Sequence, residues 1–175
     1  MSLTFDAVVD TVATLVESVG DEQWAAPTPC TDWTVRELVD HLRAGQDAFR
    51  IALTGKSGPA SGTFRQNGEA LAAAFGAEGA LERVVRAPIG EVPGAVALHL
   101  QTLEHLVHGW DLAQALGQKT LFEDASVEIE IEFATGLLAG LPANAPSPFA
   151  PSRPAPEDAP AIDRLAALLG RTVSA

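Results

Sequence analysis

Along the first twenty residues the hydrophobic side chains recur at steps of three and four. Phe5, Val8, Val9, Val12, Leu15, Val16 and Val19 share one side of a helix, and Gly20 follows them as a stop. This spacing predicts an amphipathic helix over about residues 4–19. The next stretch, WAAPTPCTDW, carries two prolines, which forbid a continuing helix and make it a loop. Thr34 then stands three positions before Glu37, the arrangement in which each side chain satisfies a free backbone N–H of a first helical turn. A second helix starts there, its apolar stripe running through Val35, Leu38, Val39, Leu42, Phe49 and Leu53 to an end near Gly55.

The Gly/Ser/Pro cluster from Thr54 to Gly62 reads as a flexible connection, and EALAAAF beyond it as a third, alanine-rich helix closed by Gly76 and Gly79. The segment from Glu82 to Gly94 is extended or irregular, with Pro93 suited to the first turn of the next helix. From Pro93 to Leu116 the pattern is apolar almost all round, which marks a helix buried between others, and Gly117 ends it. Residues 126–141 alternate as a strand would over VEIEIEF, yet exceed ordinary strand length and have no partner strand nearby. They are read as a helix with positions 127, 131, 134, 138 and 141 on one face. Seven prolines between Pro142 and Pro160 make a linker or a surface strap, after which AIDRLAALL forms a short last helix. The expected fold is all-α, a four-helix bundle over residues 1–141, with a proline-rich extension and short terminal helix over 142–175 packed on it.

Composition narrows the function. No apolar stretch approaches the about 18 uninterrupted residues of a membrane span, although 47% of the chain is hydrophobic. The N-terminus lacks a basic leader region and is already helical in pattern, so a cytoplasmic protein is expected. Cys30 is the single cysteine, which permits no intrachain disulfide. A net charge of −12 repels phosphate backbones and anionic lipid, so neither nucleic acid nor membrane is an expected partner. Two lysines against many alanines, glycines and prolines point to a GC-rich, actinobacterial genome.

Bundles build metal sites from side chains on facing helices, so the four histidines carry the chemical question. In TLEHLVHGWDL, Glu104 and His108 are four apart and lie one above the other, on the flank of the stripe Val96, Leu100, Leu103, Val107 and Trp110. On the second helix His41 sits at the edge of the stripe among Gly45, Ala48 and Ala52, which leave room. A carboxylate and two imidazoles suit zinc first, and nickel or iron(II) as well; three protein ligands leave coordination positions open, as reactive sites do. The plain alternative is a surface pair and a boundary histidine, both common. His105, three residues before His108, is a rival for Glu104, whereas His99 lies far round the helix and reads as core. Trp33 and Trp110 also read as core, with Trp110 able to wall a pocket beside His108. Asp111 is either an acceptor behind a ligand imidazole or a solvated carboxylate. Cys30 precedes the second helix while His41 lies about 10 Å along its axis, so the thiol is expected to be packed or loop-anchoring rather than a ligand.

The runs PTPCTDWTVRELVDHL, GEVPGAVAL and LEHLVHGWDLAQALG, with the ending PEDAPAIDRLAALLGR, resemble actinobacterial metal-binding proteins of the DinB-like superfamily, in the group related to the N-terminal domain of mycothiol-dependent maleylpyruvate isomerase. The resemblance spans nearly the whole chain. It implies a four-helix bundle whose divalent ion is held by a histidine of the second helix and a Glu-x-x-x-His pair of a later one, which fall on His41, Glu104 and His108. The isomerase resembled has a further C-terminal domain that contributes to its active site, and this sequence does not continue into one. The expected activity is therefore not maleylpyruvate isomerisation as such but metal-dependent thiol chemistry, an S-transferase or isomerase using mycothiol or a similar thiol on a small-molecule electrophile. The competing function is a non-catalytic metal-binding or stress-response bundle; a homodimer is compatible with either. No residue is singled out as catalytic beyond the three metal ligands.

Overall fold

A computed structural model of the chain describes residues 5–56, 62–119, 122–140 and 149–173. Most of it is helical: α1 (Phe5–Glu17), α2 (Val35–Thr54), α3 (Phe64–Phe75), α4 (Gly94–Leu116), α5 (Asp124–Gly140) and α6 (Ala161–Leu168), with a 3-10 turn at Asp21–Ala25. The reciprocal cap forms at α2, where Thr34 N–H donates to Glu37 Oε2 at 2.8 Å and Glu37 N–H to Thr34 Oγ1 at 3.4 Å. A second such box, Thr63 with Gln66, starts α3 earlier than its alanine run suggests. Gly55 and Gly117 take the left-handed conformation that lets the chain leave α2 and α4.

The first four helices close a ring: α1 packs on α3 and α4, and α2 packs on the same two. Its interior holds Val8, Val12, Leu38, Leu42, Leu103 and Leu106, all almost wholly buried. Gly68 brings α3 against α1, since a Cβ there would stand 2.3 Å from Val9 Cγ1. Helix α5 and the terminal α6 add a layer on the far side of α4. Residues 126–140 are thus helical despite their strand-like alternation, because burying α5 between α4 and α6 takes a helix-length contact; Leu141 lies outside the described residues. Among the described residues no helix is long and apolar enough to cross a membrane.

The segment before α4 is more regular than expected. Val84–Ala87 (β1) and Gly90–Pro93 (β2) form an antiparallel hairpin, Val84 opposite Pro93 and Ala87 opposite Gly90, with Pro88 and Ile89 at its tip. Pro93 closes β2 and caps α4 instead of entering its first turn, because that position belongs to Gly94: a Cβ there would meet the Ala80 carbonyl oxygen at 2.0 Å. The hairpin contacts both α2 and α4.

Positions 57–61 of the expected flexible connection and 141–148 of the proline-rich stretch lie outside the described residues. From Phe149 to Pro160 the chain is an irregular strap pinned to α6 by the Arg153 N–H, which donates to Ala167 O at 2.9 Å. Gly170 passes so close to Ala150 that no side chain fits there, and its φ of 92° turns the chain back toward α4.

Candidate metal centre

Three elements meet at one end of the α2–α4 seam. The loop before α2 is folded tightly on itself: Val35 N–H donates to Ala26 O, Thr28 N–H to Trp33 O, and the buried Thr28 hydroxyl lies 2.8 Å from Trp33 O and 3.0 Å from Cys30 O. This cross-bracing satisfies backbone groups that two prolines leave without a ladder. It turns Trp33 and Cys30 toward α4. The Trp33 ring lies over the His41 imidazole, centroids 4.4 Å apart, and 5.5 Å from that of His108. Trp33 is therefore a wall of the site rather than core, while Trp110 is core, 4% exposed, with its indole N–H on Asp163 Oδ1 at 2.6 Å.

His41, Glu104 and His108 converge, one donor atom from each lying within 4.8 Å of the others. Glu104 Oε2 is 3.0 Å from His41 Nε2 and 3.4 Å from His108 Nε2. Burial would raise the Glu104 carboxyl, but the hydrogen bonds from His108 and His41 outweigh it and hold the group far below the ordinary carboxylate range. Burial likewise opposes charge on His108, yet the Asp111 and Glu104 carboxylates raise its pKa. Two imidazoles around an ionised carboxylate form a cation-binding donor set.

Asp111 is not a solvated carboxylate. It is wholly buried, with Oδ2 3.0 Å from His108 Nδ1, and the Arg171 guanidinium bonds both its oxygens at 2.7 and 3.2 Å. His108 Nδ1 is thereby held as the donor and its Nε2 is left for Glu104 or a metal. Arg171 follows α6, sixty positions from Asp111, and no local pattern in the sequence announces the pairing.

His105 and His99 do other work. His105 is fully buried, donating from Nδ1 to Gln101 O at 2.8 Å and accepting from Gln46 Nε2 at 3.0 Å. Burial pushes its pKa down to about 4, so it is a neutral core group, and its ring turns away from the His41–Glu104–His108 cluster toward Phe5 and Phe64. His99 is not core: its side chain is 38% exposed, stacks on Phe133 and meets Glu130 of α5 at 2.9 Å. The pattern of α4 alone does not show this contact with α5.

Cys30 corrects the straight-helix distance argument. The loop folds back, and the sulfur joins His108 and Asp111 in a second group of donors within 4.8 Å. Its thiol is half-buried, and burial followed by the Asp111 charge raises its pKa. Since both Asp111 oxygens already serve Arg171, and Oδ2 also serves His108, the set around Glu104 is the better cation site. That set opens on a cleft of about 660 Å³ whose further walls are Trp33, Cys30, the hairpin tip at Pro88, and Arg153 and Arg171 of the C-terminal segment. Arg153 and Arg171 line it together with Asp32 and Glu104, and Arg171 is already paired with Asp111.

Comparison with known proteins places these features in context. Residues 5–83 match the family described as the mycothiol maleylpyruvate isomerase N-terminal domain. Uncharacterized proteins from two strains of Mycobacterium tuberculosis, CDC 1551 and H37Rv, are each 38% identical over 171 residues, covering 94% of this chain and 93% of the relative. Among solved structures, the mycothiol-dependent maleylpyruvate isomerase superposes with a TM-score of 0.55 over 77% of this chain, and a histidine-to-alanine mutant of it with 0.52 over 71%. Identity is 16% in both, so the likeness is one of fold, and this chain spans only 66% and 63% of the solved ones.

Proposed function

The chain belongs to the mycothiol maleylpyruvate isomerase N-terminal domain family, and from that premise we propose that it is a metal-dependent thiol-using transferase or isomerase, with His41, Glu104 and His108 as the ligands. The observation that carries this reading is the convergence of those three donors on the wall of an open cleft. A carboxylate and two imidazoles fit zinc, with nickel or iron(II) as alternatives. A divalent ion there would supply Lewis acidity, lowering the pKa of a coordinated low-molecular-weight thiol such as mycothiol so that it reacts as thiolate.

The remaining roles fall to the protein. Asp111, held by Arg171, fixes the His108 tautomer and would leave Nε2 to hold an ion. Trp33 covers the His41 ring and excludes water from one side of it. The cleft has room for a polar thiol as well as an electrophile, and the guanidinium groups of Arg153 and Arg171 offer donors to hydroxyl or carboxylate oxygens. A reducing cytoplasm, where such thiols persist, is the location this chemistry needs.

Cobalt substitution tests the reading. Adding mycothiol to the cobalt protein should produce a sulfur-to-metal charge-transfer band that His108→Ala abolishes, and His41→Ala and His108→Ala should lose the metal. Stoichiometric metal in both variants refutes the ligand assignment; a cobalt spectrum indifferent to mycothiol refutes the thiol.

A further inference from the structure

Gly45, in the interior of α2, is a glycine that the packing of the fold does not explain. Other helical glycines of the bundle make room for a neighbour: a Cβ on Gly68 would stand 2.3 Å from Val9 Cγ1, and one on Gly109 2.9 Å from Phe122 and Val12. At Gly45 a Cβ would meet only the Gln101 amide, at the ordinary contact distances of 3.7 and 3.8 Å, and its φ is not positive. Glycine inside a helix is less stable than alanine, so position 45 gives up stability without serving a close approach or a turn. Its effect is to leave one wall of a pocket bare.

That pocket, of about 130 Å³, adjoins the cleft and has His41 and Glu104 in common with it. Its other walls include Phe49 of α2, Leu100 of α4, Ile89 of the hairpin tip and Phe149 of the strap. Gln101 borders it but is 3% exposed, so away from the shared edge a molecule inside meets apolar surface. No Lys or Arg lines it, and the Glu104 carboxylate repels an anion. The larger cleft differs in kind, with Thr31, Asp32, Arg153 and Thr172 among its walls. The volume is close to the about 150 Å³ at which an apolar cavity holds benzene, which sets the occupant at about six heavy atoms.

We propose that the small pocket is a hydrocarbon subsite beside the candidate metal centre, taking a small uncharged apolar group of the electrophile while the polar thiol keeps to the larger cleft. Gly45 is the residue that sets the size of that group. Burial of its carbon surface against Phe49, Ile89, Leu100 and Phe149 supplies the binding, and the edge shared with His41 and Glu104 brings the rest of the molecule to the candidate ligands. The role in thiol transfer rests on the reading above, whereas occupancy of the pocket is measured without it.

The test titrates metal-free full-length protein with benzene and with pyrazine, a ring of the same size carrying two nitrogens, and follows both by NMR. Benzene should saturate, shift the methyl signals of Ile89 and Leu100 and the ring signals of His41, and bind about tenfold or more tighter than pyrazine, whose nitrogens would lose their water. Gly45→Val should abolish benzene binding. Gly45→Ala, whose methyl enters at ordinary contact distance, should be at least as stable as the parent and still weaken benzene several-fold, which keeps the test decisive if the valine variant does not fold. No saturable benzene binding, pyrazine bound as tightly, or an affinity indifferent to the residue at 45 overturns the proposal. On the cobalt protein, saturating benzene should leave the mycothiol charge-transfer band in place, because the two compartments fill together; loss of the band overturns the subsite's role. A band that mycothiol alone does not produce is failure of the thiol reading, and the metal-free titration then decides occupancy by itself.

Discussion

Asp111 Oδ2 accepts the Nδ1 proton of His108 at 3.0 Å, and the same oxygen lies 2.7 Å from Arg171 Nη2. The imidazole therefore has one orientation and one tautomer, set by a carboxylate that is itself immobilised by a guanidinium. Asp111→Asn should lower zinc affinity about 10- to 100-fold, by weakening the group that orients and polarises the ligand ring. Competition titration against a chromophoric chelator measures this. Unchanged affinity in a folded variant would show that the pairing serves the fold alone.

His105 makes a prediction about pH. Its folded pKa is depressed to about 4 from an ordinary 6.5, first of all by burial. Between these values the unfolded chain binds a proton that the folded chain does not, so this group's contribution to stability falls as pH drops from about 6.5 to 4, by about 3 kcal/mol in all. Urea unfolding of metal-free protein at pH 7.5 and pH 5 should register the loss, and His105→Gln should flatten that part of the profile. An equal pH slope in the two proteins refutes the assignment.

Gly68→Ala should destabilise by about 1–3 kcal/mol, because its Cβ collides with Val9 Cγ1 at 2.3 Å and meets Gln46 Nε2 at 3.1 Å. The gain in helix propensity, about 0.5–1 kcal/mol, only partly offsets this. Adding Val9→Ala should recover some of the loss, a non-additivity that a double-variant cycle measures directly. Strict additivity would place the strain elsewhere.

Thr28→Val should loosen the loop that carries Cys30 and Trp33, at a cost of about 1–3 kcal/mol for the carbonyl oxygens its hydroxyl now meets. The Cys30 thiol should react faster with a neutral maleimide in the variant. Equal labelling rates would mean that the backbone bridge between Pro27 and Thr34 suffices.

The helices were legible where caps and periodicity agreed. Thr34, Glu37, Gly55 and Gly117 each do in the structure what their positions predict. The Glu104–His108 pair was legible for the same reason, since four positions on a helix fix a shared face. What stayed hidden depends on where a loop turns. Cys30 looks remote from His41 if the chain runs straight into α2, and the Thr28 hydroxyl that turns it back is one small polar residue between two prolines. Trp33 looked like core because indole rings usually are, and the structure spends it on covering an imidazole instead. His99 was misjudged because its partner, Glu130, lies on an element whose helical state had itself to be inferred.

The candidate centre is assembled from contacts distant along the chain: sixty-three positions separate His41 from Glu104, and sixty separate Asp111 from Arg171. The first of these pairs meets as α2 packs on α4 within the ring, whereas Arg171 reaches Asp111 only when the segment after α6 docks on α4, so the buried support of His108 should be completed last. A metal ion would then meet a nearly finished protein and act as a latch on it rather than as a seed. Removing the ion should accordingly speed unfolding and leave the rate of folding almost untouched.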